Sequence, residues 1–295
     1  MHSHNLLNCG EDENLRVSVV KADGSKQFFD KDKVVRTCLR MGANHQLAAQ
    51  VAQKVEDRVY EGMPTKKVLQ LIFRFMGKDK PGVKHLFDLR RGLSLMGSKP
   101  EFEMFIRVLL THHGFEVTAN QILKGLCGEH EVDAIARKDG LTYFVEVKHH
   151  LSYHALTGLD ESRIARAVLE DVSEGFQLGK TDFRIDKAMI VTNTRYSEHA
   201  IEYGKCRGIL QVGWNYPVNK GLENMIEEKR LHPISCLRGV TDEERLMLAG
   251  RGLVFIRQLL DEKELGLARK TGLRRESIRA IMEKAHHSAK TLEYY

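Results

Sequence analysis

Glu131-Val132-Asp133-Ala134-Ile135-Ala136-Arg137-Lys138-Asp139-Gly140-Leu141-Thr142-Tyr143-Phe144-Val145-Glu146-Val147-Lys148 is the stretch on which the reading of this chain turns. Asp133 stands near the start of one apolar-alternating run, Lys138-Asp139-Gly140 supplies a turn, and Leu141 to Val147 forms the returning run, so the segment predicts a β-hairpin. Side chains at i and i+2 on a strand share a face. Glu146 and Lys148 therefore point the same way, and the hairpin brings Asp133 to them at one end of a sheet. Two carboxylates can hold a magnesium ion through hard oxygen ligands, and the lysine beside them can orient an attacking water and stabilise its hydroxide. Those are the minimal parts for metal-assisted hydrolysis of a phosphodiester. The competing reading is an acid-x-lysine pair on a solvated sheet face. Against it, Phe144, Val145 and Val147 make the strand read as buried on both sides, where charges need compensation.

Upstream, Pro100 to Leu110 reads as an amphipathic helix running to His113-Gly114-Phe115. Helix, strand, hairpin with Asp, then Glu-x-Lys is the order of the PD-(D/E)xK nuclease core. The chain here resembles the Mrr-like restriction endonuclease family, whose members pair a helical FE with an (E)xD and an ExK. In this sequence those are Phe102-Glu103, Glu131-Val132-Asp133 and Glu146-Val147-Lys148. The likeness continues through Lys187–Thr194 as the next core strand, Ser197–Cys206 as the following helix and Gly208–Val212 as the last strand, and covers roughly residues 98–217. It implies a central mixed sheet, with Asp133 and Glu146 as ligands of Mg²⁺ or Mn²⁺, Lys148 as the water-activating residue and Glu103 as an additional carboxylate. Relatives often carry a Gln or similar polar residue on the helix after ExK, whereas Arg163 and Arg166 stand out there in this chain.

A chain of 295 residues has room for two or three domains. Its 42% hydrophobic and 29% charged residues are ordinary for a globular protein. No apolar run reaches the roughly 20 residues of a membrane span. Residues 1–14 are polar and acidic with no h-region, which predicts a disordered leader rather than a signal peptide. Cys9, Cys38, Cys127, Cys206 and Cys236 are scattered without a CxxC, which argues for reduced thiols in a cytoplasmic protein and against a zinc ribbon. A formal charge of +6 tilts the expected partner mildly toward polyanions such as DNA.

The N-terminal segment alternates as a strand from Arg16 to Lys21, turns at Ala22-Asp23-Gly24-Ser25 and returns through Lys26-Gln27-Phe28-Phe29. Asp30 then caps a helix, a second helix spans about Gln46 to Tyr60, and a third starts after Met63-Pro64-Thr65. Lys33 lies in a first helical turn, where a cation is normally disfavoured. A bound anion would account for it, and a plain surface lysine is the alternative. The wording Val19-Val20-Lys21-Ala22-Asp23-Gly24 and Phe29-Asp30-Lys31-Asp32-Lys33 resembles an ATP-cone, a regulatory nucleotide-binding module, over about residues 15–95. The resemblance implies ATP or dATP as a regulatory ligand, with Val19 in its site and Lys21 and Lys33 on its phosphates. Ala22 stands where the module often has Arg, which removes one phosphate contact. No GxxxxGK[ST] is present, so nothing points to hydrolysis of nucleotide at a P-loop.

After Trp214-Asn215-Tyr216-Pro217 the chain becomes helical. Thr241-Asp242-Glu243-Glu244 is an N-cap followed by acids. The helix it starts is broken at Gly250-Arg251-Gly252 and resumes at Leu253, and a second pair follows, Lys263–Thr271 and Arg274–Ala285, about Gly272-Leu273. Helix, short Gly turn, helix, repeated, resembles the helix-hairpin-helix fold, whose backbone amides grip DNA phosphates. Leu231 to Tyr295 holds 12 Lys/Arg against 9 Asp/Glu, a difference of only +3 that leaves a protein-interaction bundle open. His112-His113, His149-His150 and His286-His287 are adjacent pairs that point apart, though His150 lies just past the proposed centre. Gly77–Gly82 and Met96–Pro100 read as loops, the second as a domain boundary.

The expectation is an α/β (α+β) multidomain protein. Its parts are a disordered leader (1–14), an ATP-cone-like α+β domain (15–97), an Mrr-like mixed-sheet PD-(D/E)xK domain (98–217) and an all-α helix-hairpin-helix-like module (218–295). Its expected activity is Mg²⁺-dependent hydrolysis of DNA, under nucleotide control and without a membrane partner. A homo-oligomer is compatible with the sequence. The rival is a catalytically silent, nucleotide-sensing platform or regulator that binds DNA or protein.

Overall fold

The computed structural model describes residues 17–41, 43–80 and 88–292. The leader, Arg16, Pro81 and Gly82 lie outside them. The chain divides into two compact units, Met1–Lys80 and Pro81–Tyr295.

In the first unit, β1 (Ser18–Val20) pairs antiparallel with β2 (Lys26–Phe28). Gly24, at φ 81°, lets the chain reverse between them. Asp30 caps α1 (Lys31–Arg40), its carboxylate accepting from the Lys33 amide at 3.0 Å. Asn44 caps α2 (His45–Glu56), which buries Ala48, Val51, Ala52 and Val55 at helical spacing. β3 (Met63–Pro64), not foreseen from sequence, lies parallel to β1. α3 (Thr65–Asp79) buries Val68, Ile72, Phe75 and Met76. The expected loop at Gly77–Gly82 is corrected in part: Gly77, Lys78 and Asp79 are helical, and the Lys80 amide still donates to Met76 O at 2.8 Å. One glycine costs a helix only about 1 kcal/mol, less than the packing of Phe75 and Met76 returns.

In the second unit, α4 (Leu89–Ser94), capped by Asp88, is followed by a kinked turn at Ser98–Phe102, where Lys99 has extended backbone at φ −123° and ψ 136°, and this leads into α5 (Glu103–His112). β4 (Glu116–Lys124), β5 (Glu129–Lys138) and β6 (Leu141–Lys148) form an antiparallel meander. Asp139 and Gly140, both at positive φ, make the expected turn. A short β7 (Leu156–Thr157) precedes α6 (Leu159–Gln177), which crosses over to β8 (Lys187–Thr192), parallel to β6. β9 (Arg195–Tyr196) pairs with β7, and α7 (Glu198–Arg207) leads to β10 (Leu210–Val212), parallel to β8. Among the described residues the central sheet is therefore mixed, in the order β10-β8-β6-β5-β4.

Alternation along these strands feeds two cores. Ala134, Ala136, Val145, Met189 and Val212 face α5 and its Phe105, Ile106 and Leu109. Ile135, Phe144, Ala188 and Ile190 face α6 and α7 through Ala165, Leu169, Val172 and Ala200. Gly175 of α6 passes so close to the β4–β5 connection that a Cβ there would lie 2.8 Å from the Gly125 carbonyl carbon.

The C-terminal region is helical as expected: α8 (Leu222–Lys229), α9 (Asp242–Ala249), α10 (Ile256–Leu260), α11 (Glu264–Thr271) and α12 (Arg275–Thr291). Thr241 and Glu244 form a capping box on α9. Two boundaries differ from the periodicity. Leu253 to Phe255 is not helical, because Phe255 bridges to Pro233 and packs against the Phe105 ring at 4.9 Å. α12 continues past Ala285 to bury Ser288, Ala289 and Thr291.

One buried ion pair joins α9 to the turn before α5. Arg245 sets its Nε 3.2 Å from Glu101 Oε1 and donates from Nη2 to Asp242 Oδ1 at 2.9 Å and to the Leu95 carbonyl. Glu101 Oε2 accepts from the Gly97 amide at 2.8 Å. Removing one partner of such a pair leaves a buried charge uncompensated and costs about 3–5 kcal/mol. In urea denaturation Arg245→Met should show a loss of that order, and adding Glu101→Gln should restore a good part of it. Equal loss in the single and double variants would assign the effect to packing alone.

Burial pushes the His232 imidazole down to about 4. Between the ordinary value of about 6.5 and 4 the unfolded chain binds a proton that the folded chain does not. Stability should therefore fall as pH drops through that window, by about 3 kcal/mol in total at 1.36 kcal/mol per pK unit. His232→Leu should flatten this part of the curve of urea midpoint against pH. A wild-type His232 ring that titrates near 6.5 by NMR would contradict the assignment.

Candidate active site

The β5–β6 ladder runs from Lys138↔Leu141 to Ala134↔Val145 and stops there. At the next step Asp133 and Glu146 would face each other. There Asp133 Oδ2 accepts the Val147 amide at 2.7 Å, so a side-chain carboxylate stands in for the main-chain acceptor. Asp133 Oδ1 is left facing the start of α5, 3.6 Å from Lys99 Nζ. Lys99 also sits 3.2 Å from Glu103 Oε1, four residues on and across the kink. Glu103 Oε2 is 3.7 Å from Arg107 Nη1, which donates to Asn120 Oδ1 at 2.9 Å and to the Asp133 carbonyl at 3.4 Å. Asn120 holds φ at +28° within β4, an uncommon backbone state tolerated best by Asn and Asp.

On β6, Lys148 Nζ lies 2.9 Å from Glu146 Oε1 and 3.0 Å from Glu161 Oε2 in the first turn of α6. An acid there is favoured by the helix dipole. Burial, then the charges of Asp133 and Glu161, hold the Glu146 carboxyl above its ordinary value, against the pull of Lys148. Burial and Asp133 do the same to Glu103, against Lys99. Burial works against the Lys148 ammonium, yet its close pairing with Glu146 and Glu161 outweighs that and raises it. Lys148 is therefore a cation here, suited to holding an oxygen nucleophile or a phosphoryl oxygen rather than to taking a proton.

The end of the hairpin thus gathers two charged groups, Asp133 with Lys99 and Glu103, and Glu146 with Lys148 and Glu161, which adjoin at the Val147 amide. Its crowded carboxylates fit a hard divalent cation. Among the described residues no three His, Cys, Asp or Glu side chains form a ready-made metal cage. Asp133 and Glu146 offer two carboxylates, and one or two suffice for a Mg²⁺ ion that keeps several of its waters.

Sequence reasoning missed Lys99, Arg107 and Glu161. Lys99 gave no helical signal, because its backbone is extended and it precedes the helix that starts at Glu103; Glu161 lies on the helix where the resemblance places a polar residue. Arg163 and Arg166 instead pair with Asp160 at 3.3 Å and Glu170 at 2.8 Å. His150 is engaged in a network in which its Nε2 lies 3.2 Å from Thr157 Oγ1 and its amide donates to Asn193 Oδ1 at 2.9 Å. In the first unit, Val19 and Lys33 line a cavity of about 200 Å³ together with Gln27, Asp30 and Thr37. Lys21 is not among the residues lining it; its amide closes the β1–β2 turn on Ser25 O.

A family model described as "Restriction endonuclease", of the Mrr type, matches residues 96–211. A second, "AF1548-like, C-terminal", matches residues 232–287. A protein of Archaeoglobus fulgidus described as "Uncharacterized protein" is 38% identical over 179 residues, which cover 60% of this chain and 95% of the relative. The chain belongs to the AF1548-like family. Of the solved structures, one titled "Crystal Structure of Protein of Unknown Function AF1548" is similar at 35% identity and a TM-score of 0.56, covering 65% of this chain and 97% of that one. This AF1548-like chain therefore carries a restriction endonuclease-like domain, mixed α/β in fold, followed by a helical C-terminal region; the domain points to nuclease chemistry on DNA. No helix among the described residues is long and apolar enough to cross a membrane.

Proposed function

We propose that this protein is a metal-dependent DNA endonuclease whose centre is Asp133, Glu146 and Lys148. The observation that carries the reading is the convergence at the parted β5–β6 ends. Asp133 is pinned by the Val147 amide with Oδ1 directed at the site, and Glu146 and Lys148 follow on either side of that amide. Asp133 and Glu146 would hold Mg²⁺ or Mn²⁺. Such an ion supplies Lewis-acid stabilisation of the phosphoryl oxygens and activates water at neutral pH. Lys148, steadied by Glu161, orients the attacking water. Glu103, which shares Lys99 with Asp133, would be an additional carboxylate beside the centre.

Asp133→Ala or Glu146→Ala should abolish cleavage of plasmid DNA, a loss of several orders of magnitude, while leaving DNA binding largely intact. Lys148→Ala should be nearly as damaging. Wild-type cleavage by the Glu146 variant would remove Glu146 from the centre. DNA binding without cleavage in Mg²⁺ or Mn²⁺ by the wild type would instead favour a silent binding platform.

A second reading is supported by the cavity in the first unit. Val19 and Lys33 both line it, one an apolar side chain that could meet a base and the other a cation that could meet phosphate. On this reading ATP or dATP is a regulatory ligand that is bound and not hydrolysed, with Lys21 reaching phosphate from the neighbouring turn. Nucleotide should raise the melting temperature by linkage, and the rise should be largely lost in Lys33→Ala and Lys21→Ala. Titration calorimetry without heat for ATP, dATP and ADP at millimolar concentration would leave the cavity as a packing feature.

A further inference from the structure

Beyond the carboxylates, the ends of the parallel strands hold a second concentration of charge. Arg90 in the first turn of α4 lies between two rings, its guanidinium carbon 5.5 Å from the Tyr153 centroid and 5.6 Å from that of Trp214. Nη2 donates to the Tyr153 carbonyl, while Nε is buried without a hydrogen-bond partner. Burial weighs most heavily against the Arg90 charge, and the nearby Arg195, exposed on β9, repels it further; Asp88 and Glu223 offset that repulsion more weakly. Among the described residues neither guanidinium has a carboxylate within ion-pair distance. A half-buried guanidinium with an unpartnered Nε, repelled by a second arginine, carries a cost that a bound anion would offset.

Their place in the fold gives the anion an identity. Tyr153 follows Lys148 at the end of β6, Arg195 follows the end of β8, and Trp214 follows the end of β10. These strands are parallel, so the cluster lies past the same strand ends as Lys148, where open parallel sheets bind ligands. A guanidinium fork matches the phosphate oxygens bidentately. Stacking of Arg90 on Trp214 and Tyr153 fixes that fork in advance and lowers the entropy cost of binding. Resting on the reading of the protein as a DNA-cleaving enzyme, we propose that Arg90 and Arg195, walled by Tyr153 and Trp214, form a subsite for a backbone phosphodiester of the DNA strand being cut.

The test uses the full chain and a labelled DNA duplex in EDTA, so that binding is read without cleavage, at several salt concentrations. Arg195 is exposed, so its variants spare the fold; Arg90→Gln serves as a second probe where its circular dichroism matches wild type. Arg195→Glu should weaken binding about tenfold or more, with Arg195→Ala between it and wild type. The slope of log K against log salt should fall by about 0.9 for each phosphate that the variant no longer neutralises. Wild-type affinity and slope in Arg195→Glu would overturn the subsite, and so would a wild type that fails to bind DNA at low salt. Arg195-dependent heat with inorganic phosphate, but no Arg195 dependence toward DNA, would reassign the cluster to a free anion and also overturn the proposal. The two readings separate cleanly. Arg195-dependent binding by a wild type that never cleaves upholds the subsite and not the nuclease; cleavage by a wild type whose binding ignores Arg195 does the reverse.

Discussion

The hydrogen bond from the Val147 amide to Asp133 Oδ2, 2.7 Å long, is the contact on which the candidate site depends. A hairpin whose ladder continued would leave Asp133 beside Glu146 as an ordinary cross-strand acidic pair, with like charges directly opposed. Letting a carboxylate take the place of a main-chain oxygen does two things at once. It satisfies a backbone donor that the parting strands would leave without a partner. It also locks the aspartate so that its other oxygen faces α5. The separation of β5 from β6 and the direction of the site's first carboxylate are thus one structural event.

Charge explains the remaining geometry. Glu103, Asp133, Glu146 and Glu161 converge in a partly buried space, and desolvation acts against the ionised forms of Glu103 and Glu146. Two lysines are interleaved with them: Lys99 between Glu103 and Asp133, and Lys148 between Glu146 and Glu161. The two cations differ in surroundings. Lys99 has a side chain 63% exposed and enters from the turn before α5, so it can leave at little cost, whereas Lys148 is half-buried and paired with two acids. On the nuclease reading proposed above, Lys99 is the cation free to give way at Asp133, and Lys148 the one held in place.

How much of this was legible follows from the range of the interactions. The hairpin, the i, i+2 pairing of Glu146 with Lys148, the Asp30 cap and the Thr241 capping box are local, and each was readable from a few neighbouring residues. Lys99 lies four residues before Glu103 with extended backbone, so helical spacing could not flag the pair, and Met96–Pro100 read as a boundary. Glu161 was overlooked for another reason: several charged residues crowd the first turns of α6, and only the fold tells which one faces the sheet. Arg163 and Arg166 were the conspicuous ones, yet they form pairs within their own helix. The Arg90 cluster was illegible in sequence, since its residues come from four segments that meet only once β6, β8 and β10 are aligned.

The C-terminal helices show the same limit at a larger scale. Composition and Gly turns make them look like a detachable module, but their energetics tie them to the sheet. Phe255 packs on Phe105, and Ala249, Val254 and Leu231 complete the core that α5 shares with Ala134 and Val145. Arg245 reaches the turn that carries Lys99 through Glu101 and the Leu95 carbonyl. The helix that presents Glu103 is thus held at its start by an ion pair and along its length by apolar contact, both supplied from residues beyond 230. Removing that region would strip the support of α5 before it could report on DNA contacts. Point substitutions on exposed residues are accordingly the sound way to ask what the C-terminal helices bind.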